Sequence, residues 1–296
     1  MKIKKITAGY LKPLLAPRRR SSHKGDYGSV LVVAGSRGLD GAAVLAARAA
    51  LKAGAGLVTV ACPETERKII ACALPEAMTF GAAASGGSFS VKAASQVAAL
   101  VRNKKISVML IGPGLGSSPS ARAFALKVLK TVKLPAVVDA DALNAVAAAG
   151  LKRTIFAGGP LILTPHPGEA ARLLGRKITD RPGAAAELSG ACGGVAVLKG
   201  EGTLVALGKT IFKNTTGGPA LAKGGSGDVL AGLTAGFLAQ AGAARGFTPE
   251  TAQRAAALAV HLHGLAGDLA AKKFTERGVL AGELLEFLPA AIRRVR

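Results

Sequence analysis

Short runs of apolar residues alternate along the chain with longer segments in which alanine recurs at helical spacing. The runs lie at residues 29–35, 57–61, 107–111, 135–141, 161–164 and 195–198. Because they are largely continuous rather than alternating with polar residues, they predict strands buried on both faces. The segments between them, including residues 41–52 and an alanine-rich stretch that ends at Ala149, predict helices. This alternation predicts an α/β fold with a mainly parallel sheet covered by helices on both faces.

Two patterns nearer the carboxyl end complete the predicted fold. Residues 203–207 and 210–212 flank a Gly-Lys dipeptide at 208–209, which predicts an antiparallel hairpin added to the sheet. Residues 249–272 predict one long alanine-rich helix.

The first 25 residues are predicted to form an N-terminal arm, because Pro13, Pro17 and the arginines at 18–20 disfavour a regular strand. Residues 26–296 are then expected to form a single domain, since no linker interrupts them. The Gly- and Ser-rich stretch at 83–87 is short and is predicted to be a surface loop.

The amino-acid composition limits the classes of molecule that the protein is expected to bind. The chain has 39 Lys plus Arg against 17 Asp plus Glu, a formal net charge of +22, which favours anionic partners. Aromatic residues make up only 4% and no nucleic-acid module signature is present, so we do not expect nucleic-acid binding. The three cysteines form no C-x-x-C pair, which argues against a disulfide framework and suits a reducing cytoplasm. No apolar run reaches the length of a membrane span.

The most informative stretch is residues 223–230, where three glycines surround Ser226 directly before a predicted helix. Uncovered amides at the amino end of a helix attract phosphate. A negative charge would weaken a simple phosphate site, so Asp228 is interpreted either as a helix cap or as a base that contacts a group beside the phosphate.

Other loops at predicted strand ends also combine glycine with a polar group. Residues 112–116 are interpreted either as a simple turn or as a ligand contact. Two prolines hold His166 at the end of a strand, and we favour a ligand contact over a structural role for its imidazole. Residues 199–203 offer a lysine, a hydroxyl and two glycines, which suit a nucleotide phosphate or ribose; the alternative is a glycine turn into the hairpin.

No metal site is predicted from a complete set of ligands. Asp139 can approach a magnesium–phosphate complex through water, or it can cap the following helix. His261 and His263 lie two residues apart and point in different directions on a helix, which predicts core or interface residues rather than metal ligands.

Taken in chain order, these loops resemble the ADP/ATP-dependent NAD(P)H-hydrate dehydratases over residues 27–269. The matching segments are 34–36 with 41–42, 111–116, 138–144, 163–169, 198–200 and 222–230. The resemblance implies a ribokinase-like α/β fold and a nucleotide-repair lyase. With Mg²⁺ and ADP or ATP as phosphoryl donor, such an enzyme phosphorylates the C6 hydroxyl of the S-epimer of hydrated NADH or NADPH, and loss of phosphate restores the reduced ring.

The resemblance also implies roles for individual residues. The implied catalytic residues are Asp228 as the base, with Gly225, Ser226 and Gly227 as anion-stabilising groups. Nucleotide binding is implied for Lys199, Gly200, Glu201, Gly202, Thr203 and Gly227. Contact with the hydrated dinucleotide is implied for Ala42, Gly114, Gly116, His166 and Asp228.

The chain departs from the usual pattern of the family at a few positions. Gly218, Ala220 and Leu221 stand where Asn, Gly and Met are usual, which puts local nucleotide contacts in doubt, and Glu201 stands where a small residue is common. Many members carry an amino-terminal epimerase domain, and this chain is too short for one, so a separate epimerase is expected as a partner.

Two further expectations complete the sequence analysis. The alternative activity is that of a ribokinase-like, ATP-dependent kinase of a small alcohol or vitamin precursor, although the loops at 112–116 and around His166 look like those of the dehydratases. The alanine-rich helical tail and the arm also predict a homo-oligomer.

Overall fold

The computed structural model describes residues 2–296. They contain twelve strands, of which ten form one sheet. In chain order the strands are β1 Lys2–Lys5, β2 Ser29–Val33, β3 Leu57–Pro63, β4 Met78–Ala82, β5 Ala84–Ser85, β6 Ser88–Phe89, β7 Val108–Ile111, β8 Ala136–Val138, β9 Leu161–Leu163, β10 Val195–Leu198, β11 Leu204–Leu207 and β12 Thr210–Lys213. The order across the sheet is β1-β12-β11-β10-β9-β8-β7-β2-β3-β4, with β5 and β6 forming a separate antiparallel pair.

Seven neighbouring strands of this sheet run parallel to one another: β10, β9, β8, β7, β2, β3 and β4. Strands β11 and β12 form the predicted antiparallel hairpin, in which Leu207 pairs with Thr210 across the two-residue turn. The hairpin also pairs antiparallel with β10. The predicted fold class, including the hairpin, is therefore confirmed.

Helices cover both faces of the sheet. They are α1 Ala8–Leu11, α2 Asp40–Ala53, α3 Arg67–Ala73, α4 Ala93–Asn103, α5 Pro119–Thr131, α6 Ala140–Ala149, α7 Pro167–Leu174, α8 Arg181–Cys192, α9 Ser226–Arg245, α10 Pro249–Gly278 and α11 Leu284–Val295. Successive residues of β2 point to opposite faces, so Val30 and Val32 pack with α2, α9 and α10. Leu31 and Val33 pack on the other face with α4 to α6. None of the helices within residues 2–296 is long and apolar enough to cross a membrane.

The expectation that no regular strand forms in the first 25 residues is wrong. Residues Lys2–Lys5 form β1, which pairs parallel with β12 at the edge of the sheet. Pro13 follows only later, in a 3₁₀ turn at Lys12–Leu15. An edge strand is held by main-chain hydrogen bonds, so a largely charged sequence is tolerated there. The boundary at residue 25 stays a prediction.

Two other short elements were not predicted. Strand β4 is an edge strand whose residues are largely part-exposed, so it lacks a continuous buried apolar run. The stretch at 83–87, predicted to be a loop, contains β5 and the turn of the β5–β6 hairpin, with Gly86 and Gly87 at positive φ. Strand pairs this short carry little sequence signal. The long helix predicted at 249–272 is confirmed within α10 (Pro249–Gly278), whose backbone is interrupted by a non-helical conformation at Thr275.

Candidate functional site

The loops predicted to carry chemistry meet at one edge of the sheet. Strands β7, β8, β9 and β10 are adjacent and parallel, and their registers pair Ile111 with Val138, Val138 with Leu163, and Leu163 with Ala196. The carboxyl ends of β7, β8 and β9 are therefore level, and β10 extends two residues beyond them. In an open α/β sheet, ligands bind in the crevice beyond these ends.

The glycine-rich stretch forms a sharp turn into the amino end of α9. Gly225 is the N-cap residue at φ +87, a conformation that favours glycine. Ser226 is buried in the first turn, and Asp228 follows two residues later at intermediate exposure. No side chain caps this helix, and among residues 2–296 the Asp228 carboxylate makes no hydrogen bond. The structure therefore disfavours the capping interpretation of Asp228.

The environment of Asp228 opposes its charge. Burial and the nearby charge of Asp139 raise the pKa of its carboxyl to about 6, although Lys199 lowers it. The group is therefore mainly ionised at pH 7, yet far more basic than an ordinary aspartate. A carboxylate with its pKa near the working pH, and without another partner, is suited to accept a proton.

A buried polar cluster lies beneath the glycine-rich turn at residues 224–227, which we call the cradle. The Oδ1 atom of Asp139 accepts hydrogen bonds from Lys199 Nζ at 2.8 Å and from Thr164 Oγ1 at 2.8 Å. Lys199 Nζ also lies 3.9 Å from Glu169 Oε2. Burial opposes the ammonium charge, but Asp139, Glu169 and Asp228 together hold the pKa of Lys199 above its ordinary value. The lysine is therefore charged and directed inward.

Lys199 links this cluster to the cradle. A Cβ atom placed on Gly227 would lie 3.5 Å from Lys199 Nζ, so the ammonium borders the first turn of α9. Burial raises the pKa of Glu169 to about 7 despite the neighbouring lysine. The cradle thus has a fixed cation on one side and carboxylates behind that cation.

His166 has the structural role that we had disfavoured, although its ring remains accessible. Its Nδ1 accepts hydrogen bonds from the backbone N–H groups of Gly168 at 3.0 Å and Glu169 at 3.4 Å, which caps α7. The Glu169 carboxylate in turn accepts from the His166 N–H at 2.8 Å. Burial, Lys199 and Arg172 lower the pKa of the imidazole. Half of the side chain is exposed, so contact with a ligand through Nε2 stays a prediction.

Close backbone packing explains part of the glycine loop at 112–116. A Cβ atom on Gly112 would lie 1.8 Å from the carbonyl oxygen of Asp139, so Gly112 is required by the fold. A Cβ on Gly114 would lie 3.0 Å from Cβ of Ala42, which brings two predicted dinucleotide contacts together. Gly116 donates its N–H to Asp141 Oδ2 at 2.8 Å.

The loop predicted to hold the nucleotide is braced by an arginine that sequence analysis did not single out. Arg181 Nη1 donates to the carbonyl of Glu201 at 2.5 Å, and Nη2 donates to that of Lys199 at 3.2 Å. The Thr203 hydroxyl donates to the Gly200 carbonyl at 2.8 Å. Gly202 completes the loop at φ +59. The loop therefore presents an ordered backbone beside the cradle.

His263 is a second residue whose place at the site was missed. It lies in the core, as predicted, with Nε2 3.2 Å from the hydroxyl of Ser226. Burial lowers its pKa to about 4, so the ring is neutral and orients the cradle serine. The only signal in the sequence is a polar residue on the apolar helix α10, which does not identify a partner that is 37 residues away.

Comparison with known proteins gives concordant results. A family model described as NAD(P)H-hydrate dehydratase matches residues 30–290. A bifunctional NAD(P)H-hydrate repair enzyme of Moorella thermoacetica is 44% identical over 98% of this chain and 54% of its own length. An ADP-dependent (S)-NAD(P)H-hydrate dehydratase of Neisseria meningitidis is 36% identical over 90% of this chain and 86% of its own.

A solved structure extends the agreement to three dimensions. The ADP/ATP-dependent NAD(P)H-hydrate dehydratase of Bacillus subtilis, co-crystallised with ATP and Mg²⁺, superposes with a TM-score of 0.83 at 32% identity, covering 100% of both chains.

The chain spans about half the length of the bifunctional relatives it matches, 54% in the case of the Moorella enzyme.

Proposed function

The chain belongs to the NAD(P)H-hydrate dehydratase family, and we propose that it uses ADP or ATP to convert the S-epimer of hydrated NADH or NADPH back to the reduced dinucleotide. The observation that carries the proposal is Asp228, a carboxylate with a pKa raised to about 6 in the first turn of α9, which has no hydrogen-bond or ion-pair partner within residues 2–296. A binding site for phosphate alone has no use for this group, whereas phosphoryl transfer to a hydroxyl requires a base.

In the proposed reaction Asp228 accepts the proton of the C6 hydroxyl as that oxygen attacks the terminal phosphorus of the nucleotide, and the shortened nucleotide leaves with the electrons of the bridging P–O bond. The backbone N–H groups of the cradle, with Lys199 beside Gly227, stabilise the charge that builds on the transferred group. Phosphate then leaves with the electrons of the C6–O bond and a proton is lost from C5, which restores the double bond. Phosphate leaves much more readily than hydroxide, so the first transfer makes the second step feasible.

The nucleotide is proposed to bind along residues 199–203 and Gly227, where Arg181 already holds the loop backbone. The Bacillus subtilis dehydratase was co-crystallised with ATP and Mg²⁺, and the residues present here fit an ion held mainly by phosphates and water. Asp139 is buried and its Oδ1 is taken by Thr164 and Lys199, so it would reach such an ion only through water. The ion would neutralise phosphate charge during transfer.

The hydrated dinucleotide is proposed to contact Ala42, Gly114, Gly116 and His166 on the other side of Asp228. Ala42 and Gly114 lie next to each other, and neither carries a long side chain. His166 is uncharged near neutral pH, because its pKa is lowered. Since its Nδ1 accepts two backbone hydrogen bonds, the ring proton lies on Nε2, which can donate a hydrogen bond to a ligand.

The wider biological setting remains a set of predictions. The relatives named as bifunctional NAD(P)H-hydrate repair enzymes support a functional link with an epimerase activity. A cytoplasmic location is predicted from the cysteines, all three of which are free thiols. The predicted homo-oligomer is tested by light scattering, and a monomer at micromolar concentration would contradict it.

The proposed function is tested by incubating the protein with acid-hydrated NADH, Mg²⁺ and either ADP or ATP. We expect the near-ultraviolet absorbance of the reduced ring to return only when nucleotide is present, at a rate that identifies the donor. Asp228→Ala is expected to slow recovery by about 10²- to 10⁴-fold, the usual contribution of a general base. If the wild-type chain restores no absorbance with either donor, the dehydratase proposal is wrong, and phosphorylation of small alcohols becomes the next assay.

The pH dependence gives an independent check of the base. Because Asp228 must be ionised to accept a proton, and its pKa is about 6, the rate of recovery should fall as pH decreases through 6. An ordinary exposed aspartate would keep its activity down to about pH 4. A rate that is constant between pH 5 and 8 would remove Asp228 from the role of base.

A further inference from the structure

A second cleft lies beside the proposed dinucleotide contacts. It has a volume of about 530 Å³ and is lined by Gly116, Arg122, Asp141, Asn144 and Arg172, together with small neighbours. Helix α6 forms its floor, since Asp141, Asn144 and Ala148 recur at helical spacing on one face. Helices α5 and α7 supply one arginine each from either side. A volume of this size suits part of a nucleotide.

The cleft has an excess of positive charge that is not neutralised. Neither Arg122 nor Arg172 forms an ion pair with any residue in the described part of the chain. Arg172 donates from Nε to Asn144 Oδ1 at 3.0 Å, which orients the guanidinium and leaves its two terminal nitrogens available. The carboxylate of Asp141 faces Gly116 and accepts its N–H through Oδ2 at 2.8 Å.

The cleft adjoins the reaction site on the dinucleotide side. Gly116 belongs to both, and a terminal nitrogen of Arg172 lies 3.8 Å from the point where a Cβ on Gly168 would sit, two residues from His166. Asp141 is near enough to Asp228 for its charge to raise the pKa of that carboxyl. A ligand held between Gly116 and His166 can therefore extend into the cleft.

The predicted nucleotide loop, residues 199–203, follows a different strand of the sheet. Gly116 follows β7, whereas Lys199 follows β10, which is three strands away across the sheet. Strand spacing separates these two ends by roughly 14 Å. Residues 199–203 therefore lie away from the Gly116 end of the cleft.

We propose that this cleft binds a phosphate group of the hydrated dinucleotide, with Arg122 and Arg172 as its cationic ligands and Asn144 holding Arg172 in place. The proposal rests on the proposed function and deepens it. The planar guanidinium group binds phosphate oxygens in pairs, which gives both affinity and orientation. The phosphate is either one of the bridging diphosphate or the 2′-phosphate that distinguishes NADPH from NADH.

The test compares Arg122→Ala and Arg172→Ala with the wild-type enzyme, using hydrated NADH and hydrated NADPH separately. Arg176→Ala is the matched control, because it removes the same charge just past α7 from an arginine that pairs with Glu187 outside the cleft. We expect Arg172→Ala to raise KM about 10- to 100-fold with little change in kcat, since a charge-assisted hydrogen bond contributes binding of that size. The control should change KM by no more than about twofold.

The pattern across substrates identifies which phosphate binds. A raised KM for both hydrates assigns the bridging diphosphate, and a raised KM for hydrated NADPH alone assigns the 2′-phosphate. Unchanged KM values for both hydrates in both variants would overturn the proposal. A raised KM for ADP or ATP alone would also overturn it, because the cleft would then belong to the donor.

Direct binding separates this proposal from the proposed function. Calorimetric titration with adenosine 2′,5′-bisphosphate and with pyrophosphate requires no turnover. If the wild-type protein failed to restore hydrated dinucleotide, weaker binding of either probe to Arg172→Ala, but not to Arg176→Ala, would still support a phosphate site in the cleft. Equal binding of both probes by all variants would refute it, whether or not the enzyme is active.

Discussion

Helix α9 has an amino-terminal turn that faces the site and a body that is buried against α2. The turn carries Asp228, a part-exposed carboxylate that makes no hydrogen bond among the described residues. The body is packed at backbone contact. A Cβ atom on Gly232 would lie 2.1 Å from the carbonyl oxygen of Ala46, and one on Gly236 would lie 2.7 Å from that of Ala50. Helix α9 therefore combines an unfavourable charge in its first turn with close apolar packing along its body.

This difference shows how the site is held in place. Helix α2 carries Ala42 in its first turn and packs along α9, so the contact between the two helices sets the separation of Ala42 from the cradle. Small residues allow the close approach, and close packing resists displacement. The stable body of α9 thus tolerates a destabilising group at its end, a common relation between stability and activity.

Replacing Gly232 with alanine should disrupt the packing of the body of α9 against α2. The added Cβ would overlap the Ala46 carbonyl and lie 2.7 Å from Ala49 Cβ, so the helices must separate. We expect a loss of about 2 to 3 kcal/mol in the free energy of unfolding, because overpacking outweighs the better helix propensity of alanine. Urea denaturation measures the loss, and unchanged stability would show that the two helices can move apart freely.

Replacing Asp228 with asparagine, in the first turn of the same helix, should instead raise the free energy of unfolding. The folded pKa of about 6 exceeds the ordinary value of 3.8, so the fold favours the protonated form. The stability due to that preference is present below about pH 4 and is lost as pH rises through 6. At pH 8 Asp228→Asn should therefore be more stable than the wild type by on the order of 2 kcal/mol, after allowance for solvent screening.

Paired denaturation curves at pH 8 and pH 4 check this sign, because the advantage of Asp228→Asn should nearly vanish at pH 4. The variant should also lose catalysis, since an amide cannot accept the proton. A variant that is less stable than the wild type at pH 8 would indicate that the attraction to Lys199 outweighs the burial of Asp228.

Much of this arrangement could be predicted from local sequence. Continuous apolar runs predicted the central strands, and the glycines around Ser226 predicted the cradle, because both signals lie within a few consecutive residues. Strand β1 was missed because an edge strand needs no apolar run. Lys199 was expected to face a ligand, yet its ion pair is with Asp139, 60 residues away, and no local pattern reports such a partner.

The cleft between α5, α6 and α7 could not be predicted for a related reason. Arg122 and Arg172 belong to different helices, and each alone is typical of a solvated surface. Only the packing of both helices against α6 brings the two charges to one cavity. Charges that are unremarkable in sequence thus become informative through tertiary structure.

Ser226 is the first residue of α9, and replacing His263, the partner of its hydroxyl, should have a smaller effect. His263→Phe fills the space but leaves the buried hydroxyl without the ring nitrogen at 3.2 Å. We expect kcat/KM to fall about 5- to 10-fold, close to 1 kcal/mol, the usual net value of one hydrogen bond. His263→Gln, which retains a polar end, should recover part of the loss at similar thermal stability. Equal activity of the two variants would reduce His263 to a packing role.

The smallest effect should come from a glycine that lacks the constraint on Gly232. Gly190 lies on the exposed side of α8, and a Cβ atom built there meets nothing within 4 Å. Gly190→Ala should therefore raise the free energy of unfolding by about 0.5 to 1 kcal/mol, since only the helix propensity changes. Activity should be unaffected, because α8 contacts the nucleotide loop through Arg181 at its other end. Measured beside Gly232→Ala in the same urea titration, it isolates the steric contribution of the α2–α9 contact; a loss of stability in both variants would show that the effect at Gly232 is not specific to that contact.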